Sequence, residues 1–121
     1  MRKGFSLVEL LVALSIMALI MGASLTAFEA SKKSARDGKR KADLESIRSA
    51  LEIYRSDNGG YPADKNSLSP DYITTWPADP ISTQSYVYTP ATCTTTCKTY
   101  TLCATVEIGS TGACSYVTKN P

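Results

Sequence analysis

The segment FSLVELLVALSIMALIMGASLTAF, from Phe5 to Phe28, restricts the fold of this chain more than any other. Its residues are almost all apolar or small. At about 1.5 Å per helical residue, it is just long enough to cross a bilayer core of about 30 Å. One membrane-spanning helix is therefore expected. A single carboxylate, Glu9, interrupts the run near its start. Placing a carboxylate in hydrocarbon costs about 2.5 to 3.5 kcal/mol, so Glu9 needs a partner or neutralisation.

The next stretch, EASKKSARDGKRKADLESIRSALEIYRSD, is charged, rich in helix formers and free of proline, so the helix continues without a break to about Arg55. Leu44, Ile47, Leu51 and Tyr54 recur at helical spacing and form a narrow apolar stripe that can dock on a sheet. Asp57-Asn58-Gly59-Gly60 ends the helix, because Gly and Asn tolerate the left-handed conformation, and Tyr61-Pro62 prevents its resumption.

From Tyr61 to Pro80 a proline-rich segment reads as an ordered loop anchored by Tyr61, Leu68, Tyr72, Ile73 and Trp76. Beyond it SYVYTP, TYTLCATVEI and ACSYVTK alternate and are rich in β-formers. Turn-like ATCTTTCK and GSTG separate them, so a three-stranded antiparallel meander is expected. Tyr100, Leu102, Ala104, Val106 and Ile108 would face the helix stripe, and Thr99, Thr101, Cys103, Thr105 and Glu107 would face outward. The fold class is α+β: one long N-terminal helix packed on a small three-stranded antiparallel sheet.

Composition narrows the chemistry. The chain has no histidine, so neither a Ser-His nor a Cys-His pair can be built, and an enzyme is not expected. No catalytic residue and no cofactor are assigned. All four cysteines, Cys93, Cys97, Cys103 and Cys114, lie in the last third, as in an exported domain that keeps disulfides in an oxidising compartment. Their spacing lacks the paired knuckles of common zinc sites, so no metal is assigned. Three disulfide connectivities are open. Cys93 and Cys97 bracket Thr94-Thr95-Thr96 and would stand opposite each other in a hairpin with a three-residue loop. Cys103 with Cys114 then follows only by elimination, since the simplest GSTG hairpin offsets them by several residues.

The basic leader Met1-Arg2-Lys3-Gly4, followed by Phe5-Ser6-Leu7-Val8-Glu9-Leu10-Leu11-Val12, closely resembles the signal of type IV pilins and of the pseudopilins of type II secretion. The helix exit LEIYRSDNGGYP and the WPADP run at Trp76 to Pro80 are similar to those of major pseudopilins and short pilins. The resemblance implies that a prepilin peptidase cuts after Gly4 and methylates Phe5, and that Glu9 serves filament assembly. It further implies a membrane-held precursor with its head outside the bacterial cell membrane. That precursor would polymerise with its own copies into a helical filament, extracellular or spanning the periplasm, driven by an assembly ATPase and an inner-membrane platform protein. The chain then divides into a leader (1–4), a transmembrane and polymerisation half of the helix (5–28), an amphipathic half (29–57) and a loop plus disulfide-bonded β head (58–121).

Several plainer readings compete with this one. An ordinary secretory signal would be cut after the apolar run, where Ala27-Phe28-Glu29-Ala30 offers small residues, but the run is longer than a usual signal core. A plain membrane anchor, or a monomeric anchored binding protein, leaves Glu9 unexplained. Six basic residues from Lys32 to Lys41, against two in the leader, would by the positive-inside rule place the head in the cytoplasm; the cysteines and the leader's exposure to its peptidase argue the reverse. The same basic segment could grip DNA, but it alternates with acids and reads as a solvated or inter-subunit face. Within the resembled family a type IV pilin comes first, since the head is disulfide-bearing and shows no acidic calcium loop. A secretion or competence pseudopilin comes second.

Overall fold

The computed structural model describes residues 4–109 and 112–120, the side chains at positions 25 and 26 excepted. The leader residues Met1, Arg2 and Lys3, and Ser110 and Thr111 of the expected GSTG turn, lie outside the described residues. By internal contacts the chain divides into two units, Met1–Lys33 and Ser34–Pro121.

One helix, α1 (Leu7–Asn58), runs through both units. In the first unit the large apolar side chains among the described residues are exposed, from Phe5, just before α1, to Phe28. An 18-residue window there has a mean hydropathy of 2.2, long and apolar enough to cross a membrane. The hydroxyls of Ser15 and Ser24 donate to the carbonyl oxygens of Val12 and Ile20 at 2.8 and 2.9 Å, so neither needs water as a partner.

In the second unit α1 meets a sheet of three strands, β1 (Val87–Cys93), β2 (Cys97–Ala104) and β3 (Tyr116–Lys119), in the order β1-β2-β3 with both pairings antiparallel. The expected meander is present. The core joins Leu44, Ile47 and Leu51 of the helix stripe to Tyr100, Leu102 and Ala104 of β2, with Tyr61, Leu68 and Tyr86 completing it. Burial of each large aliphatic side chain contributes about 1.5 to 3 kcal/mol. Tyr54 and the loop anchors Tyr72, Ile73 and Trp76 are half-buried against this cluster. Within the loop a short 3-10 helix, Lys65–Leu68, is capped by Asp64, whose carboxylate accepts the Asn66 N–H and whose placement drives Leu68 into the core.

The alternation expected along β2 fails at two places. Cys103 is buried rather than outward, because it sits in the central strand between Val87 and Val117 and is bonded to Cys114. The strand ends at Ala104, so Glu107 and Ile108 leave the two-residue period: Glu107 turns toward α1, and Ile108 is 51% exposed instead of facing the stripe.

The helix exit is tied to the tip of the β1–β2 hairpin. Gly59 takes the left-handed φ of 76° that ends α1. Tyr61 and Cys97 then exchange two backbone hydrogen bonds of 2.8 Å. Gly60 lies so close to this tip that a Cβ there would stand 2.8 Å from Thr96 Cβ and 3.0 Å from the Cys97 carbonyl oxygen. Gly60→Ala should therefore destabilise the full-length protein by about 1 to 3 kcal/mol, read as a fall in the thermal midpoint in detergent, whereas Gly38→Ala, on the open face of α1, should not.

Candidate functional site

The residues singled out at the N-terminus all fall in the first unit. Gly4 and Phe5 precede α1 and are exposed, and the Leu10 N–H closes the first helical bond onto the Ser6 carbonyl at 3.2 Å. Glu9 therefore lies in the first turn, where unsatisfied N–H groups favour a negative charge, and it too is exposed. Phe5 lies four positions before Glu9, two residues ahead of the start of α1.

In the second unit the structure reveals a site that the residue pattern had left on the surface. Asp37 and Arg40 continue the spacing of Leu44, Ile47 and Leu51, and they are buried on the same face of α1. The basic segment is thus not simply a solvated or inter-subunit face, because two of its arginines turn into the head. Arg40 donates from Nε and Nη2 to the two oxygens of Asp79 at 2.8 and 2.9 Å. It donates from Nη1 to Asp37 at 2.7 Å and to Glu107 at 2.9 Å, and from Nη2 to Gln84 at 3.2 Å. These bonds engage all the donors a guanidinium has. Arg36 adds a two-point pair with Glu107, both bonds at 2.6 Å.

Three carboxylates thus face two guanidiniums, and backbone N–H groups meet the excess negative charge. Asp37 accepts from Glu107 at 3.0 Å and from Ile108 at 2.9 Å, and Asp79 accepts from Ile81 at 2.8 Å. Burial opposes the charge on Asp37, yet the Glu107 N–H, the Arg40 guanidinium and the Ile108 N–H outweigh it and hold the carboxyl below its ordinary range. Burial likewise opposes the charge on Asp79, and Arg40 with the Ile81 N–H overcomes it. The Arg36 bond dominates at Glu107 and, helped by Arg40 against burial, lowers it from an ordinary 4.5 to about 2. Asp79 in turn raises the affinity of Arg40 for its proton. The cluster is a polar clamp: it fixes the chain around Asp79 and Glu107 to one turn of α1. Continuing the helical spacing of the apolar stripe toward the N-terminus would have found Arg40 and Asp37; nothing local marked Glu107.

The cysteines pair as Cys93–Cys97, with Cα atoms 4.0 Å apart, and Cys103–Cys114, with Cα atoms 5.0 Å apart. The first closes the β1–β2 tip, and the second closes the loop that carries Glu107. Among the described residues no group of His, Cys, Asp and Glu is arranged to hold a metal.

Residues 1–25 match the prokaryotic N-terminal methylation motif, and residues 28–119 match type II secretion system (T2SS) protein G. Among curated proteins, the type II secretion system core protein G of Pectobacterium carotovorum subsp. carotovorum is 30% identical over 67 residues, covering 55% of this chain and 43% of that one. The core protein G of Klebsiella michiganensis is 30% identical over 67 residues, 55% of this chain and 47% of its own. The match thus spans less than half the length of either relative. No solved structure matches the chain significantly.

The charge cluster carries two consequences. Arg40→Ala would leave Asp37, Asp79 and Glu107 facing one another without their shared cation, and should destabilise the protein by about 3 to 5 kcal/mol. Each carboxylate binds its proton less readily folded than unfolded, so its contribution is complete above the ordinary carboxylate range and is lost as pH falls through the folded value. For Glu107 that window runs from 4.5 down to about 2. Thermal unfolding of the full-length protein in detergent should be level near neutrality and fall through this window; a midpoint unchanged down to pH 2 would contradict the clamp.

Proposed function

The chain belongs to the protein G family of type II secretion systems, and on that premise we propose that it is a pseudopilin: a membrane-held precursor whose work is to polymerise. One observation carries the reading. An exposed carboxylate, Glu9, stands one helical turn past Phe5 at the head of an apolar helix, within a segment that matches the N-terminal methylation motif.

Residues 1–4 act as the leader, and a prepilin peptidase cuts after Gly4, where a small residue gives access to the scissile bond. The cut creates a charged amine on Phe5, which the same enzyme methylates. That amine then lies at the bilayer margin, where Glu9 of a neighbouring copy neutralises it at a defined axial offset. Residues 5–28 hold the precursor in the cell membrane, 29–57 carry the head, and 58–121 form the head outside the membrane. An assembly ATPase and an inner-membrane platform protein drive the copies into a thin filament that spans the periplasm. A type IV pilus subunit is the second reading, favoured by the two disulfides, and it uses the same residues in the same roles.

The pair explains why an acid costing about 2.5 to 3.5 kcal/mol stands in a membrane helix: its partner does not exist until the leader is removed. Glu9→Ala should leave leader cleavage intact and should exclude the chain from filaments, measured by immunoblot of the sheared filament fraction. Filaments formed at the normal level by that variant would refute the proposed pair.

A further inference from the structure

The pairing of β1 shows which of its backbone groups the sheet uses. Pro90 has no N–H, and the N–H of Tyr100 opposite it turns the other way, toward Asn120 Oδ1 at 3.4 Å. Pro90 and Tyr100 thus form a non-hydrogen-bonded pair, and the bonded pairs are those of Val87, Thr89 and Ala91 with Cys103, Thr101 and Thr99. Between them Tyr88 turns its N–H and C=O to the open edge of the sheet, where among the described residues neither is hydrogen-bonded. Pro90 presents only a C=O there, a common guard of an exposed edge. β1 is therefore open to strand pairing at Tyr88 and blunted at Pro90.

A groove of about 340 Å³ runs along this edge, lined by Ala63, Asp64 and Lys65 from the loop and by Tyr86, Tyr88 and Pro90. Val87, whose side chain takes the opposite face of the sheet from that of Tyr88, lines it too, so the groove lies at the edge rather than over either face. At Lys65 and Ser85 it meets a second groove of about 440 Å³, walled by Trp76, Pro77, Ser82 and Gln84. The Lys65 ammonium stands 5.4 Å from the centre of the Trp76 ring, and among the described residues it has no carboxylate partner. The acids that line the two grooves are already engaged: Asp64 accepts from the N–H and the side-chain amide of Asn66 at 3.1 and 2.9 Å, and Asp79 is held by Arg40.

We infer that this trough binds an extended acidic segment of a partner protein, added as a fourth strand beside β1. The Tyr88 N–H and C=O exchange two hydrogen bonds with one residue of that segment, which fixes its register against the strand. A carboxylate of the segment meets Lys65, which has no acid of its own, and an apolar or aromatic side chain beyond it lies on Trp76. A sheet edge alone accepts the main chain of any extended peptide, so the charge at Lys65 supplies the selection. An acidic glycan offers the charge but not the alternating main-chain donors and acceptors that Tyr88 pairs with. The inference goes beyond polymerisation: it gives the head a means of engaging a second protein, and it does not depend on the N-terminal site.

Fluorescence anisotropy with the full-length protein in detergent tests it. The probe is a labelled octapeptide of alternating threonine and valine with one central glutamate, compared with the same peptide carrying lysine there. The glutamate peptide should bind about fivefold more tightly, and Lys65→Glu should invert that order while keeping the wild-type thermal midpoint. N-methylation of one alternate set of the peptide's amides should weaken binding about tenfold, and of the other set should leave it unchanged, because only one set faces β1. Equal binding of the two peptides, or equal effects of the two methylated sets, would overturn the added strand. So would the absence of binding up to about 1 mM, or displacement of the glutamate peptide by alginate at matched charge.

Discussion

The head of this protein depends on one side chain, the guanidinium of Arg40. It is fully buried, every donor is occupied, and its partners come from three separate parts of the chain: α1 itself, the stretch from Asp79 to Gln84, and the loop after β2. The helix stripe thus has two chemistries on one face, charge at Asp37 and Arg40 and hydrocarbon from Leu44 to Leu51. Apolar contacts alone would let a small sheet slide along such a stripe at little cost. A cluster of directional charge-assisted bonds accepts one register.

Around that clamp the remaining constraints are short-range. At the far end of the head, Tyr61 and Cys97 join the helix exit to the hairpin tip, which Cys93–Cys97 closes. Cys103–Cys114 closes the loop whose Glu107 reaches the clamp. A head this small buries a limited core, and cross-links that restrict the unfolded chain compensate for it. The helix is therefore gripped at both ends of its head-bearing part, by charge at Arg40 and by backbone pairing at Tyr61.

Much of this was legible in the sequence, because the strongest signals were periodic or conformational. The apolar run from Phe5 and the stripe at Leu44, Ile47 and Leu51 announced the helix; Gly59 and Pro62 announced its end; the β-rich runs separated by short turns announced the meander. The clamp was hidden by a sound general rule, that arginine and aspartate belong in water, which fails when each satisfies the other. Glu107 and Ile108 were misplaced because strand alternation was carried past Ala104, where β2 stops. No local feature marks that stop, since the chain leaves the strand to meet residues 70 positions earlier.

The same division holds for function. The N-terminal site proposed at Gly4, Phe5 and Glu9 rests on local spacing, whereas the clamp exists only in the folded head. Glu9 is proposed to await a partner made by processing, and the mass of the mature N-terminal peptide from membranes and from filaments decides whether that partner is made. A chain that begins at methylated Phe5 is expected; a chain that retains Met1, or one cut near Ala30, would refute the pairing of Glu9 with a processed terminus.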